Sequence, residues 1–137
     1  MSDKSCIIID DEPQDEIVDN LKADASHRGI HLSCVQLNPQ DQDYEKDVGD
    51  DARPDFVIDI DKIIEKLKTI GCRRADVIAC DFYLQDDNVN GFDIIHKLRT
   101  QLHYKKEIIL YSANLETVIR EILLERSLED QTSSQSA

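Results

Sequence analysis

Asp81 closes an apolar run, Asp76-Val-Ile-Ala-Cys-Asp81, and two other apolar runs close on oxygen-bearing side chains in the same manner. Cys6-Ile-Ile-Ile-Asp10-Asp11-Glu12 ends in carboxylates, and Glu107-Ile-Ile-Leu-Tyr-Ser112-Ala113 ends in a hydroxyl. Short apolar runs of this kind read as buried strands. Separated by helical patterns, they would bring Asp10, Asp11, Asp81 and Ser112 to one edge of a parallel sheet. Open α/β sheets place their sites at that edge, outside the carboxyl ends of the strands. Carboxylates gathered there repel one another unless a cation joins them, and hard oxygen ligands suit Mg²⁺. The chemistry expected is that of a metal-assisted aspartate site.

The elements that must position these groups alternate between strand and helix. After the first strand, Pro13 suits the first position of a helix. Ile17, Val18, Leu21 and Ala25 recur at helical spacing, with Gly29 placed to end the helix. Ile30 to Leu37 reads as the second strand. Positions 38–54 lack periodicity and read as an acidic loop insertion, solvated on its surface. Between positions 41 and 61, nine acidic residues face only Lys46 and Arg53. A second helix is expected with Phe56, Val57, Ile60, Ile63, Ile64, Leu67 and Ile70 on one face. The strand carrying Asp81 follows, then a helix with Phe92, Ile94, Ile95, Leu98 and Leu102 inward. A fourth strand ends at Ser112, and a last helix runs over 115–128 with Val118, Ile119, Ile122 and Leu123 apolar. Positions 131–137 read as a disordered polar tail. The whole predicts one domain over 1–130, of (βα)₄ type, folded into a doubly wound parallel sheet of four strands.

Composition sets outer limits. The chain has 137 residues, 40% of them hydrophobic and 33% charged, as in globular domains. No stretch approaches the roughly 20 apolar residues of a membrane span, and no basic, apolar leader precedes the first strand. A net charge of −13 argues against nucleic acid or an anionic membrane as a direct partner. Cys6, Cys34, Cys72 and Cys80 form no C-x-x-C pair, and Cys6 and Cys80 sit within apolar strands as small hydrophobes. A reduced, cytoplasmic chain is expected.

These residues also carry a resemblance. Ile7-Ile-Ile-Asp10-Asp11-Glu12-Pro13, Val77-Ile-Ala-Cys-Asp81-Phe-Tyr-Leu84 followed by Gly91, and Leu110-Tyr-Ser112-Ala113 occur in order, each on its proper element. Over nearly its whole length the chain resembles a response-regulator receiver domain of two-component signalling, with its flavodoxin-like topology. The resemblance implies that Asp81 accepts a phosphoryl group from a histidine kinase or phosphotransfer protein. It implies Mg²⁺ held by Asp81, by Asp11, through water by Asp10, and by the backbone carbonyl of Tyr83. Ser112 would bond a phosphoryl oxygen and move inward, carrying the signal to the strand-four surface. Such a chain is a phosphoacceptor rather than a conventional enzyme.

The sequence also departs from that family. A receiver ordinarily has a fifth strand ending in lysine, whereas no lysine follows Lys106. Lys4, Lys105 and Lys106 precede strands, hence lie at the wrong edge, and Arg120 and Arg126 fall in the last helix. Nine residues separate Asp81 from Gly91, a longer linker than usual. The chain is then either cut from a longer protein or a degenerate receiver. The alternative function is a pseudo-receiver, an interaction module that is not phosphorylated. Without a fifth strand the fourth is a sheet edge, so a homodimer through strand four and the last helix, or cover by further polypeptide, is expected. Other readings fit less well. Asp86-x-Asn88-x-Asn90-Gly91 mimics a calcium loop whose twelfth position is Lys97 rather than glutamate, and reads better as a turn. A haloacid-dehalogenase-type phosphatase needs a second acid where Tyr83 stands. His27, His31, His96 and His103 show no ligand spacing.

Overall fold

The structure is a computed structural model and describes residues 2–46, 56–86, 88–112 and 115–125. Four strands, β1 (Ser2–Ile9), β2 (Ile30–Leu37), β3 (Val77–Asp81) and β4 (Glu107–Tyr111), form one sheet. Their order is β2-β1-β3-β4 and every pairing is parallel. The helices are α1 (Asp15–His27), α2 (Ile60–Thr69), α3 (Gly91–Thr100) and α4 (Leu115–Ile119), the last running on as a π turn over Arg120–Glu125.

Cys6, Ile7, Ile8 and Ile9 are all buried, as are Val77 to Cys80, so both central strands are covered on both faces. Continuous apolar strands of this kind are what helices on two sides demand. On one face Ile7, Ile9, Ile78 and Cys80 meet α2 and α3 through Ile63, Leu67, Ile94 and Leu98. On the other, Cys6, Ile8, Val77 and Ala79 meet α1 and α4 through Leu21, Ala25, Leu115 and Ile119. The doubly wound architecture expected from the sequence is therefore present. α4 packs on the same face as α1, and Arg120 donates to Asp24 of α1 at 3.0 Å.

Local chemistry explains the helix ends. Asp59 caps α2 by accepting from the Asp61 backbone N–H at 3.0 Å. Lys66 and Lys68 lie in its last turn, where cations suit the dipole. Asn90 and Asp93 form a reciprocal capping box that starts α3. Gly29, at φ +74°, lets the chain leave α1 in the left-handed conformation.

Several boundaries differ from the sequence reading. β1 starts at Ser2, so Lys4 lies within it rather than before it. Pro13 is not the first helical residue, since Gln14 is the N-cap and Asp15 begins α1. Phe56 and Val57 do not belong to α2. Ile58 instead makes an antiparallel bridge with Glu45, and its N–H is bound by Asp86 Oδ2 at 2.8 Å. The acidic segment is not all solvated loop: Gln42–Tyr44 forms a 3-10 turn that buries Tyr44 in the core. A single aromatic anchor leaves no periodicity to read. Phe92, expected to face inward, is 60% exposed, and Leu110, in a strand read as buried, is 40% exposed. Positions 47–55, Ala113, residues 126–128 of the expected last helix with Arg126, and the 131–137 tail lie outside the described residues. So do the side chains of Val118 and Ile122.

Candidate metal and phosphoacceptor site

The strand order dictates where a site forms. From β1 the chain crosses outward to β2, then returns past β1 to β3, so the crossovers diverge between the two central strands. That reversal opens a crevice at their carboxyl ends. Ile9 is registered with Cys80, so the next residues, Asp10 and Asp81, face each other across the crevice. Asp81 is in turn registered with Tyr111, which brings Ser112 to the same edge one residue beyond. The sequence reading thus assembled the correct edge. Asp10, Asp11 and Asp81 each offer a carboxylate oxygen within 4.8 Å of the other two.

The three carboxylates are not equivalent. Asp10 is only 2% exposed. Its Oδ1 accepts from the Glu12 N–H at 2.9 Å, and its Oδ2 accepts from Gln14 Nε2 at 2.9 Å and from the Tyr111 hydroxyl at 2.5 Å. A buried polar group of this kind requires such hydrogen-bond partners. Asp11 and Asp81 are only partly buried. Asp81 Oδ1 accepts one long bond, 3.3 Å, from the Tyr83 N–H. Burial first, and then the charges of Asp10, Asp11 and Glu12, push the Asp81 carboxyl above its ordinary range against that bond. Burial and the charges of Asp10 and Glu12 raise Asp11 in the same way. Among the described residues no lysine or arginine pairs with any of the three. Arg120 is engaged by Asp24 and Glu116. Lys105 and Lys106 lie before β4, at the opposite edge of the sheet, as the sequence indicated.

The donor set fits a hard divalent cation. Two oxygens bound to one Mg²⁺ at roughly 2.1 Å lie at most about 4.2 Å apart, so small carboxylate rotations suffice from the observed spread. Asp10 already uses both oxygens for internal bonds, which leaves Asp11 and Asp81 as the better direct ligands.

Three residues that hold the site were given no role in the sequence reading. Tyr111 reaches from β4 past β3 to Asp10, just beyond β1. Gln36 of β2 donates to the Asp10 carbonyl at 3.2 Å and to the Glu12 carbonyl at 2.7 Å, and accepts from the Gln14 N–H at 3.1 Å. Gln36 and Gln14 thereby fix the loop after β1. Tyr111 carried a readable signal, since a tyrosine inside an apolar strand needs a partner for its hydroxyl. Gln14 and Gln36 carried none.

The loop after Asp81 is built around Asp86. Its Oδ1 accepts from the Asn88 and Val89 N–H groups at 2.8 and 3.0 Å, while Oδ2 holds Ile58. With Asp86 and Asn90 bonded to backbone N–H groups, the segment is a turn and helix cap rather than a calcium loop. Gly91 follows where no side chain fits: a Cβ there would stand 2.3 Å from the Asp81 carbonyl oxygen. The four histidines are all exposed and dispersed.

No family model and no curated protein matches the chain. The chain is similar to solved structures. One is the MaeR response regulator bound to beryllium trifluoride, at 16% identity and a TM-score of 0.45, covering 97% of this chain and 98% of that one. Another is the non-phosphorylated receiver domain of the stress response regulator RcsB from Escherichia coli. Its identity is 14% and its TM-score 0.45, over 89% of this chain and 75% of that one.

Proposed function

We propose that this chain is a phosphoacceptor receiver domain, in which Asp81 takes a phosphoryl group from a histidine kinase or phosphotransfer protein with Mg²⁺ as cofactor. The observation that carries the reading is the convergence of Asp10, Asp11 and Asp81, with oxygens within 4.8 Å, at the switch point of the sheet. The bonding of the three separates their roles. Asp10 is buried and committed to three donors, so it shapes the site. Asp11 and Asp81 would hold Mg²⁺ directly, with the Tyr83 carbonyl and Asp10, through water, as further ligands. Asp81, at the end of β3, is the nucleophile: its oxygen forms the new O–P bond as the P–N bond to the donor imidazole breaks. Bound Mg²⁺ supplies the positive charge that offsets carboxylate repulsion and the charge on the transferring oxygens. Ser112, one residue beyond the end of the neighbouring strand, donates to a phosphoryl oxygen. The free cysteines support a reducing, cytoplasmic setting.

One observation favours a second reading, a pseudo-receiver that acts as an interaction module. Among the described residues no cationic side chain stands by Asp81, and Asp10 is satisfied from within the chain. Acetyl phosphate with Mg²⁺ separates the two readings without a kinase. Intact-mass spectrometry is expected to show a single labile phosphoryl adduct that disappears in Asp81→Asn. Normal Mg²⁺ binding with no adduct at high donor concentration would establish the interaction module instead.

A further inference from the structure

Cys6 and Cys34 are distant in sequence and carry no recognisable spacing, yet the sheet brings them together. They are register partners on the adjacent parallel strands β1 and β2. Register partners project to the same face, and neighbouring strands lie about 4.8 Å apart. That separation falls inside the roughly 4.4–6.8 Å Cα range of disulfides. The two thiols are close enough to perturb each other's protonation. Cys6 is 1% exposed, whereas Cys34 lies on the outer strand and is only partly buried. The other cysteines have no such arrangement. Cys72 and Cys80 are buried in the core of the opposite face, and the Cys80 thiol is directed at the Asp81 and Gly91 carbonyls.

We propose that Cys6 and Cys34 form a reversible thiol–disulfide modification site, oxidised by small organic disulfides, with Cys34 as the attacking thiol and Cys6 as the resolving one. The pair divides its protons unequally. The neighbouring Cys6 thiol and the charge of Lys22 pull Cys34 below the ordinary thiol range against the effect of burial, while the Cys34 thiol and burial push Cys6 up. The thiolate is the reactive form, so the more accessible cysteine is also the better nucleophile. In the first step the Cys34 thiolate attacks one sulfur of the small disulfide. The reagent S–S bond breaks and one small thiol leaves, taking a proton from solvent. In the second step Cys6 gives up its proton and attacks the Cys34 sulfur, expelling the second small thiol. Two protein thiols are oxidised and one small disulfide is reduced to two thiols. Cys6 lies four positions before Asp10 along the strand, a distance of about 13 Å, so the pair operates independently of the acidic site.

The test uses the full chain in mixtures of oxidised and reduced glutathione, followed by acid quenching, intact mass and non-reducing peptide mapping. Wild type is expected to lose two hydrogens and to yield one cross-linked peptide pair joining Cys6 to Cys34, with recovery on reduction. Cys6→Ser is expected to stop at a mixed disulfide on Cys34. Cys34→Ser is expected to resist modification, at a rate at least about tenfold below wild type. Wild type that halts at a mixed disulfide, or that links either cysteine to Cys72 or Cys80, overturns the pairing. Equal reactivity of all four thiols overturns the assignment of Cys34. The wild-type peptide map decides the pairing even where a serine variant folds poorly.

Discussion

Asp10, Asp11 and Asp81 differ in environment more than their common residue type suggests, and the difference has consequences for stability. The folded-state pKa of Asp81 is raised by burial and then by neighbouring negative charge, and that of Asp11 likewise. A carboxyl whose folded pKa exceeds its unfolded value, about 3.9, binds its proton more tightly when folded. The stability it contributes is present at low pH and is lost as pH rises through the raised value. Metal-free protein is therefore expected to lose part of its stability between about pH 4 and neutrality, and Asp11→Asn to flatten that slope and raise the metal-free melting temperature. Mg²⁺ at ten times its dissociation constant should stabilise wild type by about 1.4 kcal/mol, and Asp11→Asn should remove most of that gain. Thermal shifts with Mg²⁺ that are equal in the two proteins would exclude Asp11 from the site. Tyr111 makes the opposite kind of contribution. Its hydroxyl is a buried donor to the Asp10 carboxylate at 2.5 Å. Tyr111→Phe is expected to cost about 1.5–3 kcal/mol, read from urea denaturation with the m-value unchanged. A loss below about 0.5 kcal/mol would mean that Asp10 does not depend on this bond.

At the scale of elements, the start of α3 is pressed directly against the end of β3. A Cβ at Gly91 would meet the Asp81 carbonyl oxygen at 2.3 Å and Leu110 Cδ1 at 2.9 Å. The first of these is backbone and cannot rotate away, so Gly91→Ala must displace α3 or the strand end. The expected cost is about 1–3 kcal/mol, as for other overpacked sites. The displacement falls on the carbonyl of Asp81 itself, so metal binding should weaken as well. Asn90→Ala provides the comparison. It removes the cap on the same helix at about 1 kcal/mol, without the steric contact, and is expected to leave Mg²⁺ affinity nearly unchanged. Isothermal titration of both variants separates the two effects. Equal loss of Mg²⁺ affinity would show that α3 acts on the site through helix stability alone.

The whole molecule has an asymmetric sheet. β2 is covered on one face by α1 and lies at one edge. β4 lies at the other, with Leu110 40% exposed beside Ile108 and Ile109. Among the described residues β4 pairs only with β3. An apolar strand at the edge of a sheet tends to recruit another strand. A homodimer through β4 and α4 is accordingly expected, or cover of that edge by further polypeptide. Sedimentation equilibrium should show association with rising concentration, with amides of β4 protected in hydrogen exchange. A monomer at high concentration whose β4 amides exchange rapidly would exclude the dimer. α4 is anchored independently by Arg120 on Asp24. The two arginine bonds lower the Asp24 carboxyl although burial opposes them, so this anchor holds above the unfolded carboxyl range and weakens as pH falls through the lowered value.

Sequence alone determined the alternation of strand and helix, the parallel sheet and the edge bearing Asp10, Asp11, Asp81 and Ser112. Each of these follows from local pattern. Apolar runs covered on both faces leave an unbroken signal, and the polar residue that ends such a run must emerge at the strand's carboxyl end. Gly91 was legible as part of a motif, but the reason for it, a carbonyl within 2.3 Å of any Cβ, belongs to the packing of α3 on β3. What tertiary structure alone decided are the relations between residues far apart in the chain. Tyr111 bonds a carboxylate 101 positions away, and Gln36 braces a loop on another strand. Tyr44 anchors a segment that reads as loop, and Cys34 stands opposite Cys6. None of these leaves a periodic trace, because one hydrogen bond or one buried ring imposes no repeat on its neighbours. They become visible only when strand order and register are known, since register decides which side chains share a face.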